Sequence, residues 1–286
     1  MNKLIFFNHF HRGDLFTHKE FARHVKSNLP DVKFEYWHFN HPKVNLDIDI
    51  PPTNAPMNLD KNKRFYKSTE GALMVNTWIG VYGEIFTKRG GVNLLSLKDS
   101  WDIIVSTIND TFKTNLTLNV KPLEQYLPTI DYARFDLTSI ESFLERTPGK
   151  KVLLCNGEPM SNQSFKGNLK DDLELFSESY PDVTFICTSK FETSKGNIVF
   201  TDDIIKDTQV YWLDTPWNDR KINNCDLNEI SYLSTKCDLI IGKNSGPFVF
   251  CETYDNLMDP SKGIISFSRG EHESMSHGIH KDSYSI

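Results

Sequence analysis

The chain has 286 residues, with 32 Lys and Arg against 38 Asp and Glu and a formal net charge of -6. That length suits two domains, each able to bury its own core, and the acidic balance argues against nucleic acid as a partner, because gripping phosphates needs clustered basic residues. No run approaches the roughly 18 apolar residues of a membrane span, so at most peripheral membrane contact is expected.

A strand is predicted at Lys3 to Phe7, then a loop from Asn8 to Asp14, then a helix whose apolar positions Leu15, Phe16, Phe21, Ala22 and Val25 form a stripe. A second strand, Val32 to His38, follows the stop Leu29-Pro30-Asp31. This β-α-β opening is the signature of a parallel sheet. Pro42 to Lys63, rich in Pro, Asn and Asp, reads as a long loop. Gly71 to Gly80 is a further strand, Leu97 to Phe112 a helix, Leu116 to Val120 a possible strand, and Pro122 to Asp131 a connector between domains.

The second half repeats the alternation. A helix from Asp136 to Arg146, capped by Thr138 or Asp136, ends at Pro148-Gly149. Strand Lys151 to Cys155, polar loop Asn156 to Asn168, helix Leu169 to Ser179, and strands Val183 to Thr188 and Ile198 to Thr201 follow. A helix begins near Asp226, then come strand Asp238 to Ile241, helix Phe248 to Leu257 and strand Gly263 to Phe267. Such alternation implies an α/β protein of two Rossmann-like, doubly wound domains, residues 1–130 and 131–286.

Chemistry concentrates in a few places. Between Asn228 and Cys251 a helix, a strand carrying Leu239, Ile240 and Ile241, and the turn Gly242-Lys243-Asn244-Ser245-Gly246-Pro247 follow one another, with Pro247 suited to the first position of the next helix. A turn at the carboxyl end of such a strand, opening a helix, is either a phosphate site or simply a well-capped corner. The first loop carries His9, His11, Arg12, Gly13 and Asp14. Asp14 is either a helix cap or a general base, and Arg12 either solvated or an anion clamp. The loop Asn156 to Lys166 offers hydroxyls, amides and Lys166 to a phosphate, or is plain surface.

Other signals are weaker. Glu271, His272, Glu273, His277 and His280 have a spacing that could serve a metal, but a flexible polar tail is the preferred reading. Asp47-Ile48-Asp49 has the letters of a metal motif yet lies in the Pro-rich loop, so no metal is expected. Trp78, Tyr82, Trp212 and Trp217 could stack on sugars or bases, although Trp78 suits the core better. The five cysteines, at 155, 187, 225, 237 and 251, form no C-x-x-C pair, and Met1 to Asn8 lacks the length and cleavage site of a signal peptide. Buried thiols in a reducing cytoplasm are therefore expected.

Two segments carry a family resemblance. Gly13-Asp14-Leu15-Phe16 before a helix and Leu29-Pro30-Asp31-Val32 before a strand form one; Leu227 to Ile230 through Cys237 to Gly242 and Asn244-Ser245-Gly246-Pro247 form the other. Together they resemble the GT-B glycosyltransferases, most closely the ADP-heptose:lipopolysaccharide heptosyltransferase (family 9-like) type. The resemblance implies two Rossmann-like domains facing a cleft, with the acceptor on the first and a nucleotide-sugar on the second. It implies a metal-independent transferase that uses no cofactor beyond its donor and acts on a glycan or lipid-linked saccharide. Asp14 matches the family's catalytic aspartate, Ser245 and Gly246 its diphosphate turn, and Lys166 more loosely a phosphate-neutralising lysine. Asn244 stands where that family has Asp, and Phe248-Val249-Phe250 replaces its His-Leu-Ala, so the heptose donor does not carry over. A nucleotide-sugar 2-epimerase and a non-catalytic sugar- or nucleotide-binding protein of the same fold are the rivals.

Overall fold

The computed structural model describes residues 2–9, 12–38, 52–54, 59–118, 122–157, 169–205, 226–243, 245–267 and 283–284. The chain divides into two units, residues 1–130 with 214–217, and 131–213 with 218–286.

The first unit runs β1 (Lys3–Asn8), α1 (Arg12–Thr17), α2 (Lys19–Asn28), β2 (Lys33–His38), β3 (Pro52–Asn54), β4 (Phe65–Lys67), β5 (Leu73–Asn76), α3 (Gly83–Lys88) and α4 (Leu94–Phe112). Its sheet has the order β3-β2-β1-β5-β4, parallel except for β4. Central β1 is buried from Leu4 to Asn8, as expected for a parallel strand covered on both faces, which is why it reads as an unbroken apolar run. On one face Phe6 packs against Phe21, Phe34 and Tyr36. Helix α4 starts with a reciprocal cap, Ser96 N–H donating to Asn93 Oδ1 at 2.9 Å and Asn93 N–H to Ser96 Oγ at 2.8 Å, and ends where Lys113 adopts a left-handed conformation, φ 59. Its Trp101 stacks on Phe21 at 5.2 Å.

The second unit runs α5 (Thr138–Arg146), β6 (Lys151–Cys155), α6 (Leu169–Ser179), β7 (Thr184–Cys187), β8 (Ile198–Phe200), α7 (Thr201–Ile204), α8 (Leu227–Thr235), β9 (Leu239–Lys243), α9 (Gly246–Phe250), α10 (Tyr254–Met258), β10 (Gly263–Phe267) and β11 (Ser283–Tyr284). All its strand pairs are parallel, in the order β11-β10-β9-β6-β7-β8. Counted from β6, this is the 3-2-1-4-5-6 order of a Rossmann fold.

Several sequence expectations need correction. The helix expected through Leu15 to Val25 is two, broken at His18, although all five stripe residues are buried. The helix expected from Phe248 to Leu257 is likewise two: Asn256 Nδ2–H donates to the Cys251 carbonyl at 2.8 Å, and Thr253 caps the second piece. Leu116 to Leu118 form no strand; the segment is held to α4 instead, Asn109 Oδ1 accepting from Leu116 N–H and Asn109 Nδ2–H donating to its carbonyl, both at 2.8 Å. Antiparallel β4 and the short β3 and β11 were not foreseen. Helix α5 starts two residues later than expected, at Thr138 with Leu137 at the cap position, and Asp136 Oδ1 accepts the Thr138 N–H at 3.0 Å from just outside it.

Two outcomes test this packing. A Cβ at Gly242 would lie 2.3 Å from Phe248 Cδ2 and 2.8 Å from Cys155 Cβ, so Gly242→Ala should lower stability by about 1–3 kcal/mol in urea unfolding. Glu252 is buried, and burial raises its carboxyl well above the ordinary value of 4.5. The folded chain thus keeps a proton that the unfolded chain releases, so stability falls as pH rises from about 4.5 through the folded value. Glu252→Gln should therefore gain stability over the parent at pH 8 and little at pH 4.5, where each tenfold change in proton affinity is worth about 1.4 kcal/mol.

Candidate active site

In each sheet the chain turns one way from a central strand and returns on its other side, and ligands of α/β proteins bind outside the carboxyl ends of the strands at that point. In the first sheet it lies between β1 and β5, in the second between β6 and β9.

In the first unit, α1 begins at Arg12, and Asp14 lies within its first turn. The N-cap reading is therefore corrected: Asp14 is inside the helix, and its carboxylate accepts, through Oδ2, the Ile79 N–H at 3.4 Å. Ile79 opens a 3₁₀ turn, Ile79–Tyr82, just after β5. Asp14 is 2 % exposed and spans the β1 and β5 loops. Around it the strand ends are polar. Thr77 N–H donates to the Phe7 carbonyl at 2.9 Å, and the Tyr36 hydroxyl and Thr77 Oγ1 share a bond at 2.8 Å. Tyr82 OH donates to the Asn76 carbonyl at 2.9 Å, while Asn76 Oδ1 accepts from Trp78 N–H at 3.0 Å. Burial raises the Tyr36 and Tyr82 hydroxyls well above the usual phenol range, so both remain protonated donors.

His9 is partly buried with its ring edge-on to Phe7 at 5.9 Å. Burial, with the Lys61 charge nearby, lowers its pKa to about 4, leaving it neutral near pH 7. Gly13 offers its carbonyl to Thr17 Oγ1–H at 2.9 Å. His11 lies outside the described residues. Trp78 is half-buried and Tyr82 fully buried, while Trp212 and Trp217 lie outside the described residues.

In the second unit, Ser245 stands before α9 with extended backbone, 8 % exposed, and its hydroxyl has no hydrogen-bond partner among the described residues. Helix α9 has five residues and opens at Gly246, so Pro247 is its second position, not its first. So short a helix contributes only a weak dipole field at its start. Space demands a glycine at 242 but not at 246, where a Cβ would meet only Leu227 at 3.8 Å. Lys166 and Asn244 lie outside the described residues.

Sequence reasoning missed Ser266, which pairs in register with Gly242, is 1 % exposed and likewise has no partner for its hydroxyl among the described residues. It also missed His18, Asn76 and Thr77. A polar residue directly after an apolar parallel strand was the available signal, as in Leu73-Met74-Val75-Asn76-Thr77. Among the described residues no group of three or more His, Cys, Asp and Glu is placed to hold a metal ion, and no helix is long and apolar enough to cross a membrane. Asp47 to Asp49 and the histidine tail lie outside the described residues.

No protein-family model matches the chain, and no curated protein matches it. Among solved structures it is similar to a glycosyl transferase family 9 protein from Veillonella parvula, at 11 % identity and TM-score 0.48, covering 100 % of this chain and 86 % of that one. It is similar to an ADP-heptose lps heptosyltransferase II from E. coli, at 8 % identity and TM-score 0.47, with coverage of 100 % and 90 %. A UDP-GlcNAc 2-epimerase from Neisseria meningitidis matches at 11 % identity and TM-score 0.43, with coverage of 86 % and 79 %.

Proposed function

We propose that the protein is a glycosyltransferase that moves a sugar from a nucleotide-sugar to an acceptor hydroxyl on a glycan or lipid-linked saccharide without a metal ion. The observation that carries this reading is Ser245: a buried hydroxyl without a partner among the described residues, just beyond the carboxyl end of β9, beside the point where the strand order of a Rossmann sheet reverses. A buried polar group without a partner costs about 1–3 kcal/mol, and an anionic diphosphate oxygen would satisfy it through a charge-assisted bond. Gly246, not demanded by its protein neighbours, would let that ligand approach the backbone closely. Lys166, Asn244 and Pro247 belong to the same proposed donor site, with Arg12, Gly13 and His11 as a clamp on the acceptor side.

In the reaction, the acceptor hydroxyl oxygen attacks the anomeric carbon, its proton passes to the Asp14 carboxylate, and the bond from that carbon to the diphosphate oxygen breaks. The electron pair leaves with the nucleoside diphosphate. A general base in this role supplies roughly 10²–10⁴-fold.

Asp14→Asn should thus lower turnover of a panel of UDP-, GDP- and ADP-sugars by that factor while nucleoside diphosphates still raise the melting temperature. Undiminished turnover would remove Asp14 as the base. Ser245→Ala should weaken nucleoside diphosphate binding about tenfold, as befits a lost charge-assisted hydrogen bond. Consumption of the nucleotide-sugar without an acceptor, giving an epimerised product, would replace transfer by epimerisation; no thermal response to any nucleotide would point to a binding protein for some other ligand.

A further inference from the structure

Between α1 and α2 the chain breaks at His18, whose side chain is fully buried. Both of its nearby donors serve one acceptor: the Asp14 carbonyl takes the His18 N–H at 3.2 Å and lies 2.7 Å from Nδ1. A carbonyl accepts only, so Nδ1 carries the proton and Nε2 is a bare acceptor. That Nε2 has no partner among the described residues. The ring stands edge-on to Trp101 at 6.1 Å, and Trp101 is in turn stacked on Phe21 and packed against Tyr126 at 5.4 Å. Burial lowers the ring's pKa to about 4, so it stays neutral near pH 7.

For packing alone the imidazole is a poor choice. An apolar side chain of similar size would fill the space without burying an acceptor that lacks a partner, and such a group in a core needs an explanation other than stability. What the ring adds is a second hold on the main chain of Asp14, anchored in the Trp101 core. The far end of the same residue is held by Ile79 N–H. Asp14 is thereby fixed at both its carbonyl and its carboxylate.

We infer that His18 is a positioning residue, whose Nδ1–H orients Asp14 for proton transfer; the inference rests on Asp14 being the general base. The bare Nε2 is then the cost of using a histidine there.

His18→Leu removes the donor and fills the space, whereas His18→Asn places Nδ2 close to where Nδ1 stood. Amide hydrogen exchange measured by NMR needs no substrate. In His18→Leu the Ile79 amide should exchange about tenfold faster, while the Thr77 amide, held by Phe7 and not by Asp14, keeps its rate; the melting temperature should match or exceed the parent's. His18→Asn should restore Ile79 protection. Unchanged Ile79 exchange in His18→Leu overturns the inference, as does loss of Thr77 protection in parallel with Ile79. With a UDP-, GDP- or ADP-sugar that the parent consumes, kcat should fall about 10–100-fold in His18→Leu with donor KM held, and recover in His18→Asn. A change in KM alone also overturns it. Failure of the base assignment shows separately, as full turnover in Asp14→Asn.

Discussion

Parallel pairing on both sides of a central strand governs what each unit of this protein can do. Strand β6 is hydrogen-bonded to β7 on one side and β9 on the other, all three running the same way. Parallel neighbours need crossover connections, and the two crossovers leave in opposite directions, so the strand order reverses between β6 and β9. Around β1 the same holds for β2 and β5. The register adds a second demand in the second unit: Cys155, Gly242 and Ser266 stand side by side, and Phe248 packs so close to the sheet there that only glycine fits the middle strand.

Stability and chemistry are separated along the strands. Their interiors are apolar and close-packed, as in β1 with Leu4, Ile5, Phe6 and Phe7, and burial of such residues supplies the folding free energy. At their carboxyl ends the chain places Asn8, Asn76, Thr77, Ser245 and Ser266, all buried. Groups of this kind contribute to a fold only when hydrogen-bonded. Those satisfied internally, such as Thr77 with Tyr36 and Phe7, shape the site. The hydroxyls of Ser245 and Ser266 have no partner among the described residues, and they are the ones suited to a polar ligand.

Asp14, the candidate base, sits in the first turn of a helix with its carboxylate hydrogen-bonded to another element. Asp14 stands beside a helix start, where a cap is the common use of aspartate. Its carboxylate instead reaches the β5 loop at Ile79, and its carbonyl is taken by His18. A capping aspartate serves its own helix; this one links two loops of the sheet. In the second unit α9 runs for only five residues, so the feature of note at its start is the buried Ser245 hydroxyl.

The amino-acid sequence by itself determined the α/β class, the strands β1, β6 and β10 and the helix α6. Apolar runs bounded by Gly, Pro, Asn and Asp are local properties, visible within a few residues. Tertiary structure alone decided that the stripe from Leu15 to Val25 breaks at His18, that Leu116 to Leu118 lie against α4 instead of forming a strand, and that Asp14 meets Ile79 across 65 positions of chain. It also decided the strand order. Contacts between residues far apart in sequence leave no periodicity to read; they follow from which strand pairs with which, and that pairing is settled only when both faces of each sheet are buried.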